Sequence, residues 1–305
     1  MSSFRRCVAH VAVGAAIVTT ASLGTGRPAA AAPLTNCGQA RQDVAIRSSV
    51  PLLDWSENFG LDTAGNLWVA RVMRGEVQRY DREGRLTATV AVAAPGAVRL
   101  GPDGLLYVVT GNSPLAGSGG IVRFDPMAAD PVPAPFATGF PQPNGAAFDA
   151  DGNLYVTTAN GLHRLRRDGS EDMDWWARVK VEGSNGVVVA GDSVYVTANF
   201  VATDGAPVGR VLRLSRTNPA DSTTVADLTS FGTLPDFVDD LVVRDGALYV
   251  TTLAGHLVRV DPKSGAACTV VSTQPLTAVV ADPADSSALL AGSEEGTVLR
   301  IRPSA

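Results

Sequence analysis

Histidine and cysteine are scarce in this chain, with three of each in 305 residues. His10 and Cys7 lie near the N-terminus, leaving His163, His256, Cys37 and Cys268 for the remainder. That is too few imidazole and thiolate donors for a metal centre built on His and Cys, and Cys37 and Cys268 have no cysteine neighbours to complete one. Basic excess is missing too: 25 Lys and Arg stand against 30 Asp and Glu, which excludes the electrostatic footprint of a nucleic-acid binder. Helical periodicity is confined to one short stretch, "EDMDWWARV". Long hydrophobic runs are limited to one, "CVAHVAVGAAIVTTASLG", which follows Arg5 and Arg6 and leads into the small-residue stretch "GRPAAAAP". This is the pattern of a secretory signal peptide over residues 1–31, cut after about Ala31. Its removal takes Arg5, Arg6 and Arg27 with it, leaving 22 basic side chains against 30 acidic, a net charge of about −8. The expected mature protein is secreted or extracytoplasmic, with no membrane segment after cleavage. In that compartment Cys37 and Cys268, at opposite ends of the chain, are expected to form a disulfide.

What the sequence does contain is a repeat. A polar residue opens an apolar strand, a Gly/Asp turn follows, and a strand of the type Leu-(Trp/Tyr)-Val returns: "ENFGLDTAGNLWVA", "GAVRLGPDGLLYVV", "NGAAFDADGNLYVT", "NGVVVAGDSVYVT" and "DDLVVRDGALYVT". A sixth copy, "TAVVADPADSSALLAG", is degenerate. Each copy is followed by a third strand with a basic residue near its end, as in "GEVQRYD" and "GHLVRVD". The aromatic anchors Trp68, Tyr107, Tyr155, Tyr195 and Tyr249 lie 39, 48, 40 and 54 residues apart, the period of a propeller blade. The expectation is a single all-β domain over residues 32–305, a six-bladed β-propeller. The last repeat lacks a fourth strand, so residues 44–50 are expected to close the ring as the outer strand of blade 6, removing an exposed edge.

In a propeller the first strands line the central channel, and the residues that open them converge on one end of it. Here those residues are Glu57, Gly96, Asn144, Asn185, Asp239 and Thr277. Glu57 and Asn144 stand eleven residues before their aromatic anchors; Asn185 and Asp239 stand ten before theirs, the turn being one residue shorter. Two carboxylates and two carboxamides meeting without a lysine repel one another unless a cation sits among them. Oxygen-only ligands of this charge suit a hard divalent ion, Ca²⁺ above all, with Zn²⁺, Mn²⁺ and Mg²⁺ as alternatives. The competing reading is local: Asn-Gly and Asp-Asp before a strand are common turn chemistry.

On these residues the chain resembles the regucalcin/gluconolactonase/luciferin-regenerating-enzyme family of six-bladed propellers, which includes calcium-dependent lactonases and phosphotriesterases. The resemblance covers residues 44–305 as a repeat pattern. It implies one divalent ion held by Glu57 in "SENFG", Asn144 in "PNGAAFD", Asn185 in "SNGVVV" and Asp239 in "VDDLVV", with none of these ligands from blade 2. It also implies that Asp239 is the base or nucleophile in hydrolysis of a lactone or related ester. The chain departs from the family's sugar lactonases at blade 3, where their Arg-x-Asn-Asp run reads Gln142-Pro143-Asn144-Gly145.

Loops after the second strands emerge on the same face and are expected to rim the site. They supply Arg71, Asn112, Asn160 and Asn199 as candidate substrate-binding residues for a small molecule, in a protein expected to act as a monomer. Two other readings stand beside the hydrolase: a non-catalytic binding module whose ion is structural, and an eliminating enzyme resembling streptogramin lyase. The second needs a histidine base near the channel, whereas His163 falls in a third strand, nearer the outside.

Overall fold

The computed structural model describes residues 34–201, 207–228 and 237–304; the expected signal peptide lies outside them. The chain forms β1 (Ala40–Ile46), then six antiparallel units. Blade 1 comprises β2 (Ser56–Leu61), β3 (Leu67–Arg71), β4 (Glu76–Tyr80) and β5 (Leu86–Ala91). Blade 2 comprises β6 (Val98–Leu100), β7 (Leu106–Thr110), β8 (Gly119–Phe124) and β9 (Ala134–Phe140). In blade 3 β10 (Ala146–Phe148), β11 (Leu154–Thr158) and β12 (Gly161–Leu165) are followed by the helical turn α1 (Met173–Trp176) instead of a fourth strand. Blade 4 comprises β13 (Ser184–Ala190), β14 (Ser193–Val201), β15 (Pro207–Ser215) and β16 (Ser222–Asp227). Blade 5 comprises β17 (Val238–Arg244), β18 (Ala247–Thr252), β19 (His256–Val260) and β20 (Ala267–Ser272). Blade 6 comprises β21 (Leu276–Ala281), β22 (Leu289–Ser293) and β23 (Val298–Pro303), completed by β1. The protein is a six-bladed β-propeller.

The repeat has a physical cause in each blade. The aromatic anchor of the second strand lies directly opposite an arginine of the third: Trp68 faces Arg79, Tyr107 faces Arg123, Tyr155 faces Arg164, Tyr195 faces Arg213 and Tyr249 faces Arg259. In blades 1 and 2 the guanidinium lies over the ring, 5.6 Å and 5.8 Å from its centre. Anchors of the first three blades also bond back to the turn aspartate, Trp68 Nε1 to Asp62 at 2.9 Å, Tyr107 Oη to Asp103 at 2.8 Å and Tyr155 Oη to Asp149 at 3.3 Å. One cross-strand pair therefore fixes both the hairpin turn and the strand behind it.

The core is divided among the blade interfaces. Six apolar clusters lie one between each neighbouring pair of blades, including one between blades 6 and 1 that joins Ile46 of β1 to Phe59, Tyr80 and Leu290. In α1, Trp175 is fully buried against Tyr155 and donates from Nε1 to the carbonyl of Arg216 in blade 4.

The closing strand occupies Ala40–Ile46, not residues 44–50 as the pattern suggested. Ala40 pairs with Pro303 and Ile46 with Val298. The four-residue offset has a cause: one carboxylate oxygen of Asp54 accepts from the backbone N–H groups of Ser49 and Val50 and the hydroxyls of Ser48 and Ser49. That cap turns residues 48–50 out of the strand and toward β2. Cys37 and Cys268 form a disulfide, with Cα atoms 5.1 Å apart, and backbone bonds join Cys37 to Thr269 and Thr269 to Thr35. The bridge ties the segment before β1 to the outer strand of blade 5.

Candidate metal centre at one end of the channel

The openings of the inner strands are irregular where the candidate residues sit. Pairing with the second strand slips between Ser56 and Asn58 in blade 1, Ser184 and Val187 in blade 4, Val238 and Leu241 in blade 5, and Leu276 and Ala278 in blade 6. Glu57, Asn185, Asp239 and Thr277 therefore lie in bulges, which release their side chains from the sheet pattern. Asn144 stands just ahead of β10, its N–H donating to the carbonyl of Thr157.

Threonines of the second strands lock these openings in place. Thr157 Oγ1 accepts from Gly145 N at 2.6 Å and donates to the carbonyl of Asn185 in the next blade. Thr197 Oγ1 repeats this, accepting from Gly186 N at 2.6 Å and donating to the carbonyl of Asp239. At the ring closure a first-strand threonine, Thr277 of β21, donates to the carbonyl of Ser56. Neighbouring backbones come so close that a Cβ on Gly145 would lie 2.3 Å from the carbonyl oxygen of Asn185, and one on Gly186 2.6 Å from that of Asp239. Neither glycine has a positive φ. The Asn-Gly pairs are thus sites of close approach between blades, and the turn reading does not describe them.

The structure brings the four candidates into two contacting pairs. Glu57 Oε1 accepts from Asn144 Nδ2 at 3.3 Å and from Asn112 Nδ2 at 2.7 Å, while Oε2 accepts from Trp55 Nε1 at 2.8 Å. Asn185 donates to Asp239, and its own Oδ1 is buried without a hydrogen-bond partner. Glu57 and Asp239 are 8% and 6% exposed, and burial pushes both carboxyls above their usual range. For Asp239, placed well above that range, the charges of Glu57, Asp240 and Glu294 add to the burial. Among the described residues no three His, Cys, Asp or Glu side chains gather closely enough to hold an ion, so a cation here depends on the carboxamide oxygens.

Of the expected rim residues, only Asn112 reaches the site. Arg71 is 1% exposed inside blade 1, where it donates to the carbonyls of Asp54 and Gly296, to Ser56 Oγ, to Gln78 Oε1 and to Tyr80 Oη. Its bonds tie blade 1 to blade 6. Asn160 bonds to Thr158 and to His163 Nε2. Asn199 clamps the backbone of Val238 through both its amide atoms, at 2.6 Å and 3.0 Å, and so holds the residue ahead of Asp239. His163 sits in β12, bonded to Glu171 and Asn160 and stacked on Trp176, within a cavity of about 290 Å³ at the outer part of blade 3.

Three contributors escaped the sequence reading. Glu294, half-buried after β22, adds a third acidic group to the surroundings of Asp239 and Glu57. Its signal was the acidic pair in "GSEEG", at the position near the end of the second-strand motif that holds Arg71, Asn112, Asn160 and Asn199 elsewhere. Trp55 orients Glu57 from two residues upstream. Arg99 of β6 has no signal in the repeat: it reaches Asn58 Oδ1 at 2.8 Å and approaches Asp240 at 3.7 Å, behind the ring of openings.

No protein-family model matches the chain, and no curated protein matches it. Solved structures do share its architecture. The aldose sugar dehydrogenase of Streptomyces coelicolor, in its PQQ-bound form, superposes with a TM-score of 0.65 at 15% identity over 87% of this chain and 98% of that one. A gluconolactonase of Xanthomonas campestris gives a TM-score of 0.64 at 17% identity over 91% and 99%. Virginiamycin B lyase of Staphylococcus aureus gives 0.57 at 12% identity over 87% and 99%. Identity this low shows a common fold, on which these three proteins carry different chemistries.

Proposed function

We propose that the chain is a secreted, divalent-cation-dependent hydrolase of a lactone or related small ester, acting at the channel end formed by Glu57, Asn144, Asn185 and Asp239. One observation carries the reading: a buried, unpartnered carboxamide oxygen, Asn185 Oδ1, stands in a ring with two carboxyls that burial and neighbouring acidic groups push up. An oxygen-rich site with surplus negative charge and an orphaned acceptor fits a hard cation, Ca²⁺ first. The disulfide fits an oxidising compartment.

The ring residues would hold the ion, and when bound it supplies Lewis-acid polarisation of the substrate carbonyl. The remaining chemistry belongs to the chain. Asn112 and Trp55 fix both oxygens of Glu57, so its carboxylate is oriented before substrate arrives. Asp239, held in place by its bond from Asn185, takes the proton of the attacking water. The water oxygen bonds to the carbonyl carbon, the ester C–O bond breaks, and the departing alkoxide receives the proton. His163, tied to Glu171 and Asn160 in blade 3, takes no part, which counts against an eliminating enzyme with a histidine base.

The test is a screen of lactones, aryl esters and phosphotriesters with and without chelator. Chelation should abolish turnover of the best substrate and added Ca²⁺ restore it. Asp239→Asn should keep the fold and lose at least about a hundredfold in kcat, because an oxygen ligand remains while the base is gone. Turnover at the wild-type rate in chelated protein would overturn the cation-dependent mechanism, and no turnover of any substrate in the presence of Ca²⁺ would leave a binding module as the better reading.

A further inference from the structure

The channel changes character beyond the ring of openings. Its other end is a cavity of about 440 Å³, lined by the later residues of the inner strands of all six blades. The wall is almost wholly apolar, with Leu61 from blade 1, Val98 from blade 2, Ala147 from blade 3, Val187 from blade 4, Val242 from blade 5 and Val280 from blade 6. Arg99 is the one charged residue in the lining, and its side chain is 20% exposed. A volume of this size lies within the common range for small-molecule pockets, about 300–1,000 Å³.

The bonding of Arg99 leaves one edge of its guanidinium open. Nη1 donates to Asn58 Oδ1 at 2.8 Å and to the carbonyls of Phe59 and Val98 at 3.0 Å and 2.8 Å. Nε and Nη2 carry no hydrogen bond among the described residues, and the nearest anion, Asp240 Oδ1, stands 3.7 Å from Nη2, beyond hydrogen-bond reach. Nε and Nη2 are the two parallel donors that a carboxylate accepts side-on, in the bidentate geometry. Nη1, pinned by three acceptors, keeps that edge in a fixed place.

We propose that this end of the channel is a second binding site, which takes a small apolar carboxylate with its head on the Nε–Nη2 edge of Arg99 and its tail along the aliphatic wall. The site is independent of the cation ring, from which Arg99 and Asn58 separate it. Asp240 limits the affinity by sharing the charge of Arg99, so recognition rests on shape, the two aligned donors and burial of the tail.

Calorimetric titration of the whole protein with octanoate, in chelator, tests this without reference to any hydrolytic activity. Octanoate should bind one per chain, and 1-octanol, which has the same tail without the carboxylate, about tenfold more weakly or less. Leu61→Glu, a half-buried wall position, should weaken octanoate by about tenfold or more through charge repulsion while circular dichroism stays that of the wild type. If Leu61→Glu fails to fold, Val280→Glu places the same charge on the blade 6 wall with the same expected loss. Absence of octanoate binding, equal binding of the alcohol, or binding untouched in the folded wall variant would overturn the proposal.

Discussion

Asn144 and Gly145 show how much a single dipeptide conveys. Asn-Gly reads locally as a turn, yet here the glycine exists because the carbonyl of Asn185 in the next blade occupies the place of a Cβ. Gly145→Ala should therefore displace the opening of blade 4 and destabilise the protein by about 2–4 kcal/mol, read as a lowered midpoint in urea. Thr197→Val is the sharper probe of the locking hydroxyl. It leaves Gly186 N without an acceptor and should cost about 1–3 kcal/mol, together with a loss of cation affinity from the loosened Asp239 backbone. The shared register of the four oxygen residues was legible because each is counted from an aromatic anchor in its own blade. Arg99 and Asn199 were not legible, since Asn58, Asp240 and Val238, which give them their roles, come from other blades. Arg71 misled for a related reason: its position at the end of β3 is right for a rim, but five acceptors inside the ring draw it inward.

Among elements, β1 shows where pattern reasoning stopped short. An unpaired edge on blade 6 announced that an N-terminal strand must close the ring, and a strand closes it. Its register could not be read, because the Asp54 cap that ends the pairing acts in part through backbone N–H groups that almost any residue possesses, and its two serine hydroxyls fall outside the repeat. The same cap has a pH signature. Backbone and hydroxyl donors together with Arg74 hold the Asp54 carboxyl well below its usual range despite the opposing effect of burial. Its contribution is thus complete above the unfolded pKa of about 4 and is lost only as pH falls toward the folded value. Asp54→Asn should flatten the loss of stability between about pH 4 and 2, measured by thermal melts across that range. The disulfide reinforces the same closure across a sequence separation of 231 residues. Cys37→Ser with Cys268→Ser should lower stability by about 2–5 kcal/mol, since so long a loop costs the most entropy to close.

At the scale of the whole molecule, six inter-blade cores hold a rigid ring whose centre is polar at one end and apolar at the other. Rigidity lets the ring keep Glu57 and Asp239 buried near one another, at a cost in stability that a cation would relieve. Both carboxyls hold their protons more tightly in the folded chain than in the unfolded one. The metal-free protein should therefore lose stability as pH rises above about 4, and stabilisation by added Ca²⁺ should grow over the same rise as protons cease to compete. Titration calorimetry of Ca²⁺ at neutral pH into the wild type, Glu57→Gln and Asp239→Asn measures the central claim most directly. The account predicts one ion per chain in the wild type, at least about tenfold weaker binding in Glu57→Gln, and measurable binding retained in Asp239→Asn. No binding of Ca²⁺, Mg²⁺, Mn²⁺ or Zn²⁺ to the wild type, or an affinity that neither substitution changes, would contradict it.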